Sequence, residues 1–294
     1  MSRLPRGARE PARARRRLSG LNSPLSEPLE RLFEADAPRA AELPAELERL
    51  HGGGFALPED CLYANFVATL DGIVAIPPMP RSNEFVAGGS DGDRFLMGLL
   101  RAHADAVLIG SGVLRASPRS TWRAEAIFPA AADAYAELRR RLGIPPNPEI
   151  AVLTGSGAID PAHPVFEAQS VVLTSDAGGE RLQGDLPDTT SIVPLGPSEM
   201  IPSAAIVGAL RARGHRRVLC EAGPHTFGWL LADGVVDELF LTTSPLLVGT
   251  AGPGSRFSLV EGVDLTPAAT HGRLLSVRRH GSHVFTRYAL DRGP

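Results

Sequence analysis

Two carboxylates and three turns carry the chemistry open to this sequence. Asp71 follows the apolar run 61–70 (CLYANFVATL) and stands directly before Gly72, and Glu221 follows the run 218–220 and opens the turn Glu221-Ala222-Gly223-Pro224. Between them, the run 106–109 ends in Gly110-Ser111-Gly112-Val113. A carboxylate at the mouth of a sheet must find hydrogen-bond donors. Asp71 and Glu221 therefore suit a nitrogen-rich ligand that donates hydrogen bonds. A glycine turn that leaves a strand and enters a helix aims backbone N–H groups at what lies above the strand end, a geometry that favours a phosphate. Pro224 fits the first helical turn, where its missing N–H costs nothing. In open parallel sheets ligands sit beyond the carboxyl ends of strands, so the three turns point to one cleft. Each also has an ordinary reading: Asp71 can cap its own turn, and Glu221 can be a plain turn residue. Arg101 can be a cation on a solvated helix end, and His225 a solvated residue at a helix start.

Those residues need elements to hold them. The run 218–220 reads as a buried strand, followed by a helix from about His225 to Ala232 and a second strand from about Glu238 to Ser244, closed by Pro245 and Gly249. The segment SDGDRFLMGLLRAHAD opens with a helix-capping residue at Ser90 or Asp91, and Phe95, Leu96, Leu99 and Leu100 keep helical spacing. AVLIG at 106–110 is short and wholly apolar, as expected of a strand buried on both faces of a parallel sheet. Ala131 to Leu142 reads as a helix with Tyr135, Leu138 and Leu142 on one side and Arg139 to Arg141 near its C-terminus, where cations suit the helix dipole. Strands at 150–153 and 171–174, a helix at 203–213 and a last strand in SHVFTRYAL complete an alternating pattern. That pattern predicts an α/β fold with a mostly parallel sheet.

The N-terminal part reads differently. Residues 1–20 hold seven arginines against Glu10 and have no apolar face, which predicts a disordered basic tail able at most to touch phosphates weakly. Residues 25–50 read as one or two short helical pieces broken by Pro38 and Pro44, and Gly52-Gly53-Gly54 as a linker. The expected organisation is a tail at 1–20, an arm at 21–56 and one domain at 57–294.

Composition excludes several chemistries. All 30 residues counted as Lys plus Arg are Arg, so Schiff-base lysines and a lysine-bearing phosphate loop are ruled out. Any phosphate or carboxylate clamp must use Arg, His, hydroxyls or backbone amides. The net charge of −3 gives no reason to expect nucleic acid, and no apolar run is long enough to predict a membrane span. Cys61 and Cys220, both in apolar runs, cannot form a disulfide framework, which fits a reducing cytoplasm. Nor can they build a zinc site: no His-x-Glu with a Pro-Cys-x-x-Cys partner is found.

Taken together, three segments resemble a known family. ANFVATLDG is similar to its strand ending in Ser/Thr-Leu-Asp-Gly, and LLRAHADAVLIGSGVLRASP to its Leu-Arg-Ala segment with a Gly-x-Gly-Thr-Val turn. VLCEAGPHTFGWLLADGVVDELFLTTSPLLVG resembles its Glu-(Gly/Ala)-Gly-Pro, Val-Asp-Glu-Leu and Pro-x-x-x-Gly signature. The family is the reductase domain of bacterial riboflavin biosynthesis, the C-terminal half of a bifunctional deaminase-reductase. The resemblance covers roughly residues 60–290. It implies a dihydrofolate-reductase-like three-layer fold with antiparallel C-terminal strands, a homodimer, and NADPH-dependent reduction of a ribosylamino-pyrimidine phosphate by a chain without the deaminase half. It also implies that Val67, Gly110, Ser111, Gly112, Val113, Gly223, Pro224, His225, Thr226 and Phe227 line the NADPH site. Asn65, Thr69, Asp71, Arg101 and Glu221 would face the substrate, with Asp71 and Glu221 carrying the catalytic role. Val113 stands where the family has Thr, and Ser117 where it is commonly acidic. The competing readings are a reductase of a pteridine such as dihydrofolate, and a non-catalytic nucleotide-binding protein.

Overall fold

The computed structural model describes residues 25, 27–35, 43–77, 79, 81–250 and 252–291; the expected basic tail at 1–20 lies outside them. The apolar runs become the middle of a ten-stranded sheet. Its strands in chain order are β1 (Glu30–Glu34), β2 (Cys61–Ala68), β4 (Ala106–Gly110), β5 (Glu149–Thr154), β6 (Ser170–Thr174), β7 (Thr190–Pro194), β8 (Arg217–Cys220), β9 (Glu238–Thr243), β11 (Gly272–His280) and β12 (His283–Leu290). Across the sheet the order is β1-β11-β12-β9-β2-β8-β4-β5-β6-β7, while β3 (Ile73–Ala75) and β10 (Phe257–Ser258) form a separate pair. Every neighbouring pair from β9 to β7 is parallel; β12, β11 and β1 add antiparallel. The expected mostly parallel α/β sheet with antiparallel C-terminal strands is what the chain forms.

Helices cover both faces, which is why the central strands are apolar throughout rather than alternating. They are α1 (Ala45–His51), α2 (Ser82–Val86), α3 (Asp91–His103), α4 (Ser111–Ala116), α5 (Ala124–Ile127), α6 (Ala132–Arg141), α7 (Asp176–Leu182), α8 (Ser203–Ala212) and α9 (Pro224–Ala232). Successive strand residues point to opposite faces. Cys61, Tyr63, Val107, Ile109 and Leu219 therefore join a core with α1, α3 and α6, and Leu62, Ala64, Leu108, Val218 and Cys220 join another with α8 and α9. Both cysteines are fully buried and unpaired. Burial raises the Cys61 thiol and pushes the Cys220 thiol up to about 12, which leaves both inert.

α3 is the helix that serves the site. It starts where the sequence predicts, because Ser90 Oγ accepts the Asp93 N–H at 3.2 Å. Its far end is closed by Arg139 of α6, which donates to the carbonyls of Arg101, Ala102 and Ala104 at 3.1, 3.2 and 2.8 Å. Arg139 thus satisfies a neighbour's last carbonyls, and burial lowers its guanidinium to about 10. α6 lies close because position 98 is glycine: a Cβ there would sit 2.5 Å from Tyr135 Oη, which donates to Phe95 O at 2.8 Å. Gly98→Ala is expected to lower stability by about 1–3 kcal/mol through overpacking, despite alanine's better helix propensity. Adding Tyr135→Phe, which removes the clashing oxygen, should recover part of it; thermal denaturation of the three proteins checks this.

The arm departs from the reading above. α1 follows Pro44 as expected, but Glu30–Glu34 is an edge strand rather than helix. The free edge of β11 offers it backbone partners, and Glu34 and Glu30 pair with Arg278 and Arg279 across the ladder. Pro38 lies outside the described residues. Gly52 is not a linker residue: it caps α1 at φ 73°, where a side chain would overlap the Leu29 carbonyl. Leu25, Leu29, Leu43, Leu47, Leu50 and Phe55 all enter the core that holds α3.

Candidate active site

The three turns come together at the carboxyl ends of β2, β8 and β4, which are neighbours in the sheet. α4 and α9 begin side by side there. A Cβ on Gly110 would lie 3.6 Å from Thr226 Oγ1, one on Gly223 would lie 3.7 Å from Val113 Cγ2, and one on Gly112 would meet nothing within 4 Å. Neither helix has a side-chain cap on its first N–H groups, whereas α3 and α7 carry Ser90 and Ser175. Two uncapped helix starts beside an open glycine edge form a cradle for an anionic, phosphate-bearing group. Ser111, Gly112, Gly223, Thr226 and Val113 line it. Val113, where the resemblance implies a hydroxyl, packs partly against the core.

Phe227, Pro224 and His225, all expected at the cofactor, are placed otherwise. Phe227 is 1% exposed and packs at a tilt against Phe66 with ring centroids 4.8 Å apart, so it is core beneath the helix start. Pro224 is buried as well. His225 is exposed, but it turns its ring edge-on to Phe257 at 5.1 Å beneath the 257–262 loop. Ser117, at the end of α4, accepts a hydrogen bond from His163 through its carbonyl at 3.1 Å.

The residues expected at the substrate split into two groups. Thr69 and Asp71 build the β2–β3 turn. Thr69 Oγ1 accepts the Ile73 N–H at 3.0 Å and donates to Asp71 Oδ1 at 2.5 Å, and the Asp71 carboxylate accepts the N–H groups of Val248 (3.2 Å) and Gly249 (2.6 Å). Asp71 is exposed, and the Thr69 hydroxyl and then the Gly249 amide hold its pKa below the usual carboxylate range. It therefore ties the loop after β9 to the end of β2, so its reach toward a ligand is through that loop. The second group faces α3. Asn65 lies on this face by alternation with Tyr63, whose hydroxyl donates to Leu100 O of α3 at 2.8 Å, and Val67, expected at the cofactor, lies on the same face. Asn65 is half-buried, and its carboxamide makes no hydrogen bond among the described residues. Arg101 and Glu221 pair with each other: Nε to Oε1 at 3.0 Å and Nη2 to Oε2 at 2.6 Å, with side chains only 6% and 9% exposed. Arg101 is thus not a cation on a solvated face.

Two further polar residues complete this wall. Asp93, on the first turn of α3, is 5% exposed, and burial raises its carboxyl to about 6. Thr242 of β9 faces it, yet the Thr242 hydroxyl, buried, makes no hydrogen bond of good geometry among the described residues. Sequence reasoning passed over Asp93 because an acid three residues after a capping serine reads as part of the helix start. Only its burial marks it out.

A family model described as the RibD C-terminal domain matches residues 61–285. A 2,5-diamino-6-ribosylamino-4(3H)-pyrimidinone 5′-phosphate reductase of Archaeoglobus fulgidus is 24% identical over 191 residues, 64% of this chain and 81% of the relative. Among solved structures, a pyrimidine reductase-like protein of Corynebacterium diphtheriae superposes with a TM-score of 0.64 at 22% identity, covering 84% of this chain and 98% of that one. RibD of Acinetobacter baumannii gives 0.59 at 15% identity, covering 83% of this chain and 60% of that one.

Proposed function

This chain belongs to the RibD C-terminal domain family, and from that premise we propose that it reduces the ribosylamino-pyrimidine 5′-phosphate intermediate of riboflavin biosynthesis to its ribitylamino form with NADPH. The observation that carries the reading is the pairing of two features across β8. An uncapped glycine cradle lies on the β4 side, and on the α3 face half-buried Asn65 stands with the largely buried polar groups of Arg101, Glu221 and Asp93. The cradle suits the phosphates of a dinucleotide, and the polar wall suits a pyrimidine rich in N–H groups. NADPH supplies the hydride; the protein orients the two partners and sets the charge around the reacting carbon. Ser111, Gly112, Gly223 and Thr226 would hold the cofactor, and Glu221 with Arg101 the pyrimidine. Asp71 keeps the 245–250 loop against the site. The same reading makes the homodimer the assembly. Two buried free thiols support a reducing cytoplasm as its compartment.

With NADPH at about a hundred times its Kd, the melting temperature is expected to rise by about 5–10 °C. NADH at the same concentration should raise it less. NADPH oxidation should follow addition of the ribosylamino-pyrimidine phosphate and not of dihydrofolate. Oxidation with dihydrofolate alone would make the protein a pteridine reductase.

A further inference from the structure

Reduction of a ribosylamine consumes a proton as well as a hydride, because the ring oxygen of the sugar ends as a hydroxyl. The inference drawn from this rests on the function proposed above. We propose that Asp93 holds that proton and delivers it, through the Thr242 hydroxyl, to the ring oxygen of the bound ribosylamino group.

The geometry is specific to this corner of the molecule. Asp93 is buried on the first turn of α3 and forms no ion pair among the described residues, where Arg94 pairs with Asp91 and Arg101 with Glu221. Its side chain does not reach back to close the helix start, where the Ser90 N–H goes to Ala87 O instead. Thr242 faces it from β9. By register Thr242 sits beside Val67 of β2, on the sheet face that carries Asn65 and Glu221. Ser244, two residues further on the same side of the chain, is also fully buried, and neither hydroxyl makes a hydrogen bond of good geometry among the described residues, although Thr242 lies close enough to Asp93 to lower its proton affinity. A buried hydroxyl without a partner costs about 1–3 kcal/mol and calls for an explanation. A hydroxyl that passes a proton needs one neighbour to give and another to take. Asp93 is the first neighbour, and the substrate is the second.

The charges around Asp93 suit the task. Burial and the Glu221 carboxylate just after β8 raise its proton affinity, while Thr242, Arg101 and Arg94 lower it, and the result is near 6. On the remaining side, His280 of β11 packs over Gly92. Asp93 therefore carries its proton in roughly a tenth of molecules at pH 7 and in most below pH 6. In the step itself, the Asp93 O–H bond breaks as Thr242 takes that proton and gives its own to the ring oxygen. The bond between anomeric carbon and ring oxygen breaks, and its electron pair goes to oxygen. The exocyclic nitrogen's lone pair closes a carbon–nitrogen double bond, which is the acceptor for the cofactor's hydride. Asp93 is left as a carboxylate and is reloaded from water.

The test uses the full chain, the ribosylamino-pyrimidine phosphate and the variants Asp93→Asn and Thr242→Val. Wild-type kcat is expected to fall as pH rises through about 6 to 7. Asp93→Asn should lose about 100-fold at pH 6 and flatten the profile. Thr242→Val, which keeps every charge, should lose most of the same factor, and NADPH affinity should stay as it was in both. Independently of turnover, infrared difference spectra of the ligand-free protein between about pH 5 and pH 8 should show a carboxylic-acid band that Asp93→Asn removes. Variants that keep the wild-type profile, or a missing band, overturn the proposal. Failure of the wild type to reduce the pyrimidine at all overturns the proposed function, an outcome distinct from active variants with an unchanged profile.

Discussion

Arg101→Met is expected to lower stability by about 3–5 kcal/mol, because it strands the Glu221 carboxylate in a site where only 9% of its side chain meets solvent. The double variant Arg101→Met/Glu221→Leu should recover most of that loss. Apolar side chains of similar volume avoid the desolvation that a buried ion pair carries. Turnover should stay lost in both. Denaturant midpoints and NADPH oxidation, measured on the same three proteins, separate the two roles. If the double variant is as unstable as the single one, the pair is not the source of the effect. If it is stable and still active, the pair does not serve the substrate.

The second large effect is on acid tolerance. His51 and His103 flank Phe55, with ring centroids 5.3 and 4.7 Å from it, and burial depresses both imidazoles to about 3. Each depressed group contributes stability that is complete above the unfolded value of 6.5 and is lost as pH falls toward 3, because the unfolded chain takes a proton that the folded one refuses. By pH 5 that amounts to roughly 2 kcal/mol apiece. Asp93 acts in the opposite direction: its raised carboxyl binds a proton in the folded state first and returns roughly 1 kcal/mol over the same range. His283, also depressed by burial, adds to the loss. The unfolding free energy is therefore expected to drop by about 2–3 kcal/mol between pH 7 and pH 5, and His103→Gln should remove about half of the histidine share. Equal stability at the two pH values would refute the buried, neutral state of both rings.

Elements set by short-range pattern were legible in the sequence. The wholly apolar 106–110 run, the helix start at Ser90 and the glycine turns at Gly110 and Gly223 stand where their local chemistry puts them. What depended on distant partners was not. Glu30–Glu34 is a strand only because β11 lends it an edge, and α7 was hidden by its Gly178-Gly179 pair. Arg101 and Glu221 were each legible as site residues, yet their bond to one another spans 120 positions. Asp71 was read as facing a ligand; its carboxylate instead holds Val248 and Gly249, the far end of the very signature that pointed to the family. Asp93 and Thr242 gave no signal in type or spacing. Their significance lies in burial and unmet hydrogen bonding, which only the folded chain displays.

The pairing of β1 with β11 also sets a timetable for synthesis. Glu30 meets Arg279, which lies 249 positions later in the chain. At about 5–20 residues per second on the ribosome, the edge strand waits about 12–50 seconds before its partner is made. Through that interval the leucines of the arm have neither β11 nor the completed sheet to rest on. Those seconds, rather than the marginal stability of the finished fold, are when a holdase chaperone has most to offer this chain.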